Sequence, residues 1–394
     1  MFSGAIARAD CSDGDIVEVF ASDGSWLARG YYNGRSQISL RLLTWERGEA
    51  VDEAFWRRRI ERALLSRALQ PGHCSSALRL INAESDAIPG LVADLYVGQD
   101  AERMSGPRTA ALVVQALSLG IDQRLDGLVR LLQEMVIPDR LPQLGGWQQL
   151  AIYERSDVDV RHLEGLLERA GPVFGDVPDR LVIEECGLRF EVDVKHGHKT
   201  GHYLDQRLNR ARVASYCRGA QVLNAFSYTG GFSIHALAAG ANSATDVDSS
   251  AAALAAAKRN LALNRLDESR HVLIEGDVFQ VLRTLRDEGR IFDVVVLDPP
   301  KFAHSAGQVQ AACRGYKDVN MLGMSVLRPG GVLATFSCSG LVPAELFQKV
   351  IFGAGLDAGR DVQVLEPLSQ APDHPVLLAF PESAYLKGFI CRVW

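Results

Sequence analysis

At 394 residues the chain is long enough for two or three domains, each with its own core. Its 47% hydrophobic and 23% charged residues are ordinary for a soluble globular protein, and no apolar run is long enough to cross a bilayer as a helix. A formal net charge of −6 counts against a protein that coats nucleic acid non-specifically, because phosphate contacts need clustered Lys and Arg. The N-terminal MFSGAIARAD has no basic segment ahead of an apolar one, so no secretory signal is expected. Seven cysteines, odd in number and without a CxxC pair, point to reduced thiols in the cytoplasm and away from a disulfide framework or a zinc site.

In chain order, DIVEVF, SWLARGYY and SQISLRLL read as short strands between Gly, Asp and Asn turns. AFWRRRIERALLSRAL follows with helical periodicity, and IPGLVADLY gives a strand-turn signal. Residues 98–147 carry the weakest pattern: GQDAERMSGPR reads as a loop and LDGLVRLLQEMV as a helix ended by Pro138. ERSDVDVRHLEGL returns to α/β character, and LVIEECGLRFEVDV alternates like a β-hairpin. From there QVLNAFS, SATDVD, HVLIEGD, DVVVLDPP and GVLATFSC each precede a helix, and DVQVLEPL and YLKGFICRV close the chain as strands. Such alternation predicts βαβ units and a mostly parallel, doubly wound sheet. Arg57, Arg58 and Arg59, and Arg207, Arg210 and Arg212, form local basic clusters whose plain alternative is a solvated helix face.

Chemistry concentrates at the predicted strand ends. In QVLNAFSYTGGFS, Thr229, Gly230 and Gly231 would let backbone approach a ligand at a helix N-terminus, although any first βα turn can carry Gly. The string is not GxGxxG, so the dinucleotide fingerprint is absent. Asp248 ends the second strand about 20 residues further on, where an acid accepts from ribose hydroxyls; the alternative is a helix cap, with Ser249 and Ser250 competing for that role. Asp277 ends the third strand and suits an adenine amino group, or again only a cap. Three such features in order favour a nucleoside. An acid in place of phosphate-binding glycines suits S-adenosylmethionine, which has no phosphate.

Asp298-Pro299-Pro300-Lys301-Phe302 reads as a planar-base pocket, with Asp298 on the Watson–Crick edge and Phe302 as a wall, against the alternative of a proline-stiffened turn. Cys338, flanked by Ser337, Ser339 and Gly340 at the end of the next strand, is the candidate nucleophile. Its thiolate adding to C6 of cytosine would turn C5 into a nucleophile toward a sulfonium methyl, with Lys301 or the sulfonium lowering the thiol pKa. The alternative is a small buried core residue, the usual fate of an unpaired Cys. Cys313, in a helical-looking segment, is the poorer candidate. KHGHKTGHYLDQR holds three His without Cys or acid at ligand spacing, so no metal is expected; Lys199, Thr200 and Tyr203 fit a segment covering the cofactor.

The strings HGHKTGHYLDQR, FSYTGGFS, DVF, LDPPKF, ACRGYKD, SCSG, APDHPV and LKGF closely resemble the RlmI-type bacterial 23S ribosomal RNA cytosine-C5 methyltransferases. A looser likeness runs upstream through ESDAIPGLVADLY, YERSDVDVR and FSGAIAR, so the resemblance covers most of the chain. It implies an α/β protein in three parts: a PUA-like RNA-binding β domain over 1–51, shortened at its start, a central α/β domain over 52–178, and a Rossmann-like, seven-stranded class I methyltransferase domain over 179–394. Carried over by position, S-adenosylmethionine falls on the turn Phe226, Ser227, Thr229, Gly230 and Gly231 and on Asp248 and Asp277, the pocket acid on Asp298 and the nucleophile on Cys338; Lys301 joins the catalytic set only as the nearby positive charge. The substrate pocket falls on Pro299, Pro300, Phe302, Arg314 and Tyr316. The implied partner is 23S ribosomal RNA, without a membrane; a homodimer is compatible. Rivals are an amino-group (guanine N2) methyltransferase, which has no use for Cys338, and a catalytically silent RNA-binding paralogue.

Overall fold

The N-terminal alternating segments build an antiparallel three-stranded sheet from β1 (Ile16–Phe20), β2 (Trp26–Tyr32) and β3 (Leu40–Thr44), in that order. The computed structural model describes residues 1–394. The chain divides into two compact units. The first comprises Met1–Glu185, Val192–Leu204 and Pro372–Ser383; the second comprises Cys186–Glu191, Asp205–Ala371 and Ala384–Trp394.

In the first unit α1 (Glu53–Ala68) starts where Asp52 accepts the Phe55 N–H at 2.9 Å, satisfying a backbone donor that the first helical turn leaves open. Its Phe55, Trp56, Ile60 and Leu64 enter one core with a second sheet. That sheet is made by β4 (Ala77–Asn82), β5 (Leu91–Asp100), β6 (Thr109–Ala116), β7 (Gln149–Ser156), β8 (Arg169–Phe174) and β9 (Leu181–Glu185). Its strands run β9-β5-β6-β7-β8, with β4 also on β5, and β6 and β7 are parallel. Two helices, α2 (Leu119–Asp122) and α3 (Leu125–Met135), follow β6. The weakly patterned stretch 98–147 therefore holds a strand and two helices. Every residue of β6 is buried, so no polar alternation marks it.

The second unit takes in most of β10 (Leu188–Val192), then α4 (Arg207–Ala214) and an alternating series. That series is β11 (Gln221–Ala225), α5 (Gly231–Ala238), β12 (Ser243–Asp248), α6 (Ala251–Leu263), β13 (His271–Glu275), α7 (Val278–Asp287), β14 (Phe292–Leu297), α8 (Val309–Ser325), β15 (Leu327–Ser337) and α9 (Ala344–Ala358). It closes with β16 (Val362–Ser369) and β17 (Lys387–Val393). The sheet order is β13-β12-β11-β14-β15-β17-β16. The pairs from β13 to β15 are parallel, and β17 is antiparallel to both β15 and β16. Strand order reverses between β11 and β14, so a ligand crevice opens at their C-terminal ends. The core beneath it is formed by Leu223, Val295, Leu297, Tyr316, Val319, Leu333, Phe347 and Val393. Cys74 is disulfide-bonded, against the expectation of thiols reduced throughout.

Candidate active site

The turn after β11 is built from strained backbone. Phe226 and Tyr228 adopt φ of 61° and 48°, and Gly230 adopts 77°. Non-glycine residues hold the left-handed region only where surroundings fix them, a pattern that gathers at ligand sites. Here Ser227 N–H donates to Val247 O at 3.1 Å, Tyr228 N–H to Asp248 Oδ2 at 2.8 Å, and Asn260 Nδ2 to Thr229 O at 3.0 Å. Beneath the turn, buried Asp246 accepts from Asn224 Nδ2 at 2.8 Å and from Ser233 Oγ, and pairs with His271 Nε2 at 2.8 Å. A Cβ on Gly230 would lie 2.9 Å from Asp246 Oδ2 and 2.9 Å from Ala257 Cβ, and one on Gly231 would meet Arg210 Cδ at 2.7 Å. Both positions form a cradle that only glycine leaves open.

Ser250 caps α6, its Oγ accepting from Ala253 N–H at 3.2 Å, so Asp248 does not serve as the cap. The Asp248 carboxylate is half-buried and accepts two backbone N–H groups, from Tyr228 and from Ser250 at 2.9 Å. A carboxylate offers about four lone-pair sites, so capacity remains for the vicinal hydroxyls of a ribose. Asp277 is exposed and caps α7, accepting Gln280 N–H at 3.0 Å on one oxygen. Glycine cradle, strained turn and ribose-type acid together fit an adenosyl cofactor.

Parallel strands β14 and β15 pair Leu297 with Thr335, so Asp298 and Cys338 leave the sheet on the same side. Asp298 is half-buried, and its Oδ2 accepts from Gln206 Nε2 at 2.9 Å. Gln206 is buried, and its Oε1 accepts from Asn209 Nδ2 at 2.6 Å; the same Asn209 amide reaches Ser369 O at 3.0 Å. This relay fixes the direction in which the carboxylate faces. Cys338 is a half-buried thiol outside any disulfide. Tyr316 lies under both groups: burial pushes its phenol up to about 12, and the charges of Cys338 and Asp298 push the same way while the Ser337 side chain pulls against them.

The Phe302 ring lies 4.7 Å from Tyr316 and 6.3 Å from Phe279, which is 6.3 Å from Phe226. An aromatic row thus runs from the cofactor turn to the Asp298 and Cys338 pocket. Pro299 is buried; Pro300, Lys301 and Arg314 are exposed. Lys199, Thr200 and Tyr203 belong to the first unit. There the Lys199 ammonium sits 4.3 Å from the Tyr203 ring centroid, and Thr200 Oγ1 donates to Asp94 Oδ2 at 2.6 Å. Cys313 lies half-buried on α8, where burial raises its pKa. Burial pushes Cys217 and Cys391 up to about 12. No group of His, Cys, Asp or Glu side chains is placed to hold a metal ion. The basic clusters are engaged internally: Arg57 with Glu53 and Glu134, Arg58 with Glu49, and Arg212 with Glu366.

Two functional candidates escaped the sequence reading. Gln206 sits within HGHKTGHYLDQR and Lys387 within LKGF, and neither residue type at those places signals burial. Lys387 is only 8% exposed.

The doubly wound sheet ending in an antiparallel pair, with its glycine cradle and ribose-type acid, defines a class I methyltransferase that uses S-adenosylmethionine. The model of the S-adenosylmethionine-dependent methyltransferase family matches residues 172–376, and a PUA-like domain matches 1–45. A protein of Pseudoalteromonas atlantica named ribosomal RNA large subunit methyltransferase I is 49% identical over 96% of this chain and 91% of its own length. Its namesake from Escherichia coli is 45% identical over 100% of this chain and 94% of its own. A methyltransferase crystallised with SAH shares the fold, with a TM-score of 0.81 at 21% identity over 100% of this chain and 94% of that one. The chain belongs to the ribosomal RNA large subunit methyltransferase I family.

Proposed function

We propose that the protein methylates C5 of a cytosine in 23S ribosomal RNA through a covalent bond between Cys338 Sγ and C6 of the base. The relatives' names support ribosomal RNA as the acceptor. The observation that carries the C5 reading is a thiol, Cys338, beside a fixed carboxylate, Asp298, at the ends of adjacent parallel strands. Amino-group methylation has no role for that thiol.

When bound, S-adenosylmethionine supplies a methyl group on a sulfonium, an electrophile for C5. The Cys338 thiolate adds to C6, and the C5=C6 electron pair becomes available at C5. Asp298, held by Gln206, is the group for the Watson–Crick edge on this reading. It accepts from the exocyclic amino group and, when it carries a proton, donates to N3 as electron density builds there. Phe302 and Tyr316 wall the extruded base on one side. After methyl transfer a base removes the C5 proton, the double bond re-forms and the Cys338 thiolate leaves.

RNA containing 5-fluorocytosine tests this directly, because fluorine at C5 cannot leave as a proton. The wild-type protein and Cys313→Ala should both form a stable adduct in the presence of S-adenosylmethionine, with the crosslink on Cys338. Cys338→Ala should form none and transfer no methyl group while still binding the cofactor. Substantial turnover by Cys338→Ala, or an adduct on another cysteine, would refute the covalent reading and favour amino-group methylation.

A further inference from the structure

Lys387 opens β17 and pairs across the sheet with Ser337, the residue before Cys338. Its side chain turns under the loop that follows the thiol: Nζ donates to Ser339 O at 2.5 Å and to Val342 O at 2.8 Å. Ser339 is buried, and its hydroxyl donates to Ala303 O at 3.3 Å, tying this loop to the one after Asp298. An ammonium that is only 8% exposed and rests on carbonyl dipoles, with no carboxylate pairing it, is expensive to desolvate. Such a cation calls for an anion nearby, and the group coupled to it through space is Cys338.

Resting on the covalent reading above, we propose that Lys387 is a positioning residue. Clamped on the Ser339 and Val342 carbonyls, its ammonium supplies the fixed positive charge that holds Cys338 as the thiolate which attacks the base.

Titratable groups around the thiol include Asp298 after β14, Tyr316 on α8 and Lys387 on β17. Asp298 opposes ionisation of the thiol. Tyr316, pushed up to about 12, is neutral at working pH. Lys387 is the cation of the three. Burial lowers it to about 8 while Cys338 pulls it back up, so the two groups titrate as a coupled pair. In the active form the thiol proton goes to solvent and Lys387 keeps its three protons. Lys301, the cation that the sequence offered for this role, is exposed.

The test is the pH dependence of Cys338 alkylation by iodoacetamide in the full-length protein, read peptide by peptide with Cys313 as internal reference. In Lys387→Met the Cys338 inflection should move up by about one pH unit or more, the size expected for losing one nearby opposite charge. Cys313 should not move, and SAH affinity should be retained. Lys387→Gln keeps a donor for the carbonyls without the charge and should behave like Lys387→Met, whereas Lys387→Arg should recover part of the shift. A purely structural role would give no shift in the variants that fold. The same Cys338 inflection in wild type, Met and Gln variants would overturn the proposal.

Should the Met and Gln variants fail to fold, the reciprocal measurement decides. Lysine Nζ titration by NMR should place Lys387 lower in Cys338→Ser than in wild type, and an unmoved Lys387 would overturn the coupling. A shifted Cys338 inflection in a protein that forms no 5-fluorocytosine adduct would sink the covalent reading and leave the Lys387 coupling standing.

Discussion

Asp248→Asn separates a ribose-binding acid from a residue that merely shapes a turn. Both Asp248 oxygens already accept backbone N–H groups, from Tyr228 at 2.8 Å and Ser250 at 2.9 Å. The remaining lone pairs are those a ribose would use. Asparagine keeps one oxygen and replaces the other with an NH2 group, which then faces a backbone donor with a donor. One charge-assisted bond to the ribose is lost, and such bonds contribute about 1.5–3 kcal/mol. About 2 kcal/mol corresponds to roughly a 30-fold rise in Kd. Isothermal calorimetry with SAH on the full-length protein measures this without turnover. The turn also loses one of its two carboxylate bonds, so chemical denaturation should show a stability loss of about 1 kcal/mol. A Kd within twofold of wild type would refute the ribose assignment.

Three further outcomes follow from the same geometry. Gln206→Leu removes the donor that holds Asp298, so kcat should fall about 10- to 100-fold, the equivalent of one hydrogen bond to a charged group, with SAH affinity unchanged. Gly230→Ala places a Cβ against Ala257 and Asp246 at a φ of 77°, and should cost about 1–3 kcal/mol in denaturant unfolding; Gly307→Ala, with open space around it, should be neutral. Lys387 titrates near 8 in the folded protein, below the ordinary 10.5, so between those values the unfolded chain binds more protons than the folded one. Its contribution to stability is fully present above pH 10.5 and is lost as pH falls through 8; the stability difference between wild type and Lys387→Met should therefore move in favour of wild type as pH rises through that window.

The alternating series from β11 to β15 was legible because each strand has a polar residue at its end or within two residues after it, and each helix follows at βα spacing. The placement of Asp298 and Cys338 just past strand ends was legible for the same reason: a strand's C-terminal end is a fixed place in this fold. What stayed hidden depends on burial that local pattern does not encode. Strand β6 is covered on both faces, so its apolar run carries no period of two. The choice of cap between Asp248 and Ser250 turns on which side chain the strained Tyr228 backbone draws away, a contact 20 residues distant. Gln206 and Lys387 belong to residue types that are normally exposed. Only the meeting of distant segments, Gln206 with Asp298 and Lys387 with the loop after Cys338, takes them inside.

The closing antiparallel strand has a consequence for the chemistry. In a parallel sheet every strand points its C-terminal end at the crevice, so successive strands can deliver only residues that follow an apolar run. Such positions suit Asp248, Asp298 and Cys338, which end β12 or come just after β14 and β15. A strand running the other way presents its first residue at the same rim. Because β17 lies antiparallel to β15 in register Ser337 with Lys387, the lysine enters ahead of its strand and passes beneath the thiol-bearing loop. Its ammonium is thereby desolvated by the sheet, while the thiol it faces keeps partial access to the crevice. A cation delivered from the end of a parallel strand would lie in the opening itself, as Lys301 does, where water screens it. On the covalent reading proposed above, the reversed strand places a buried charge behind the attacking thiol and leaves the front of the pocket to the base.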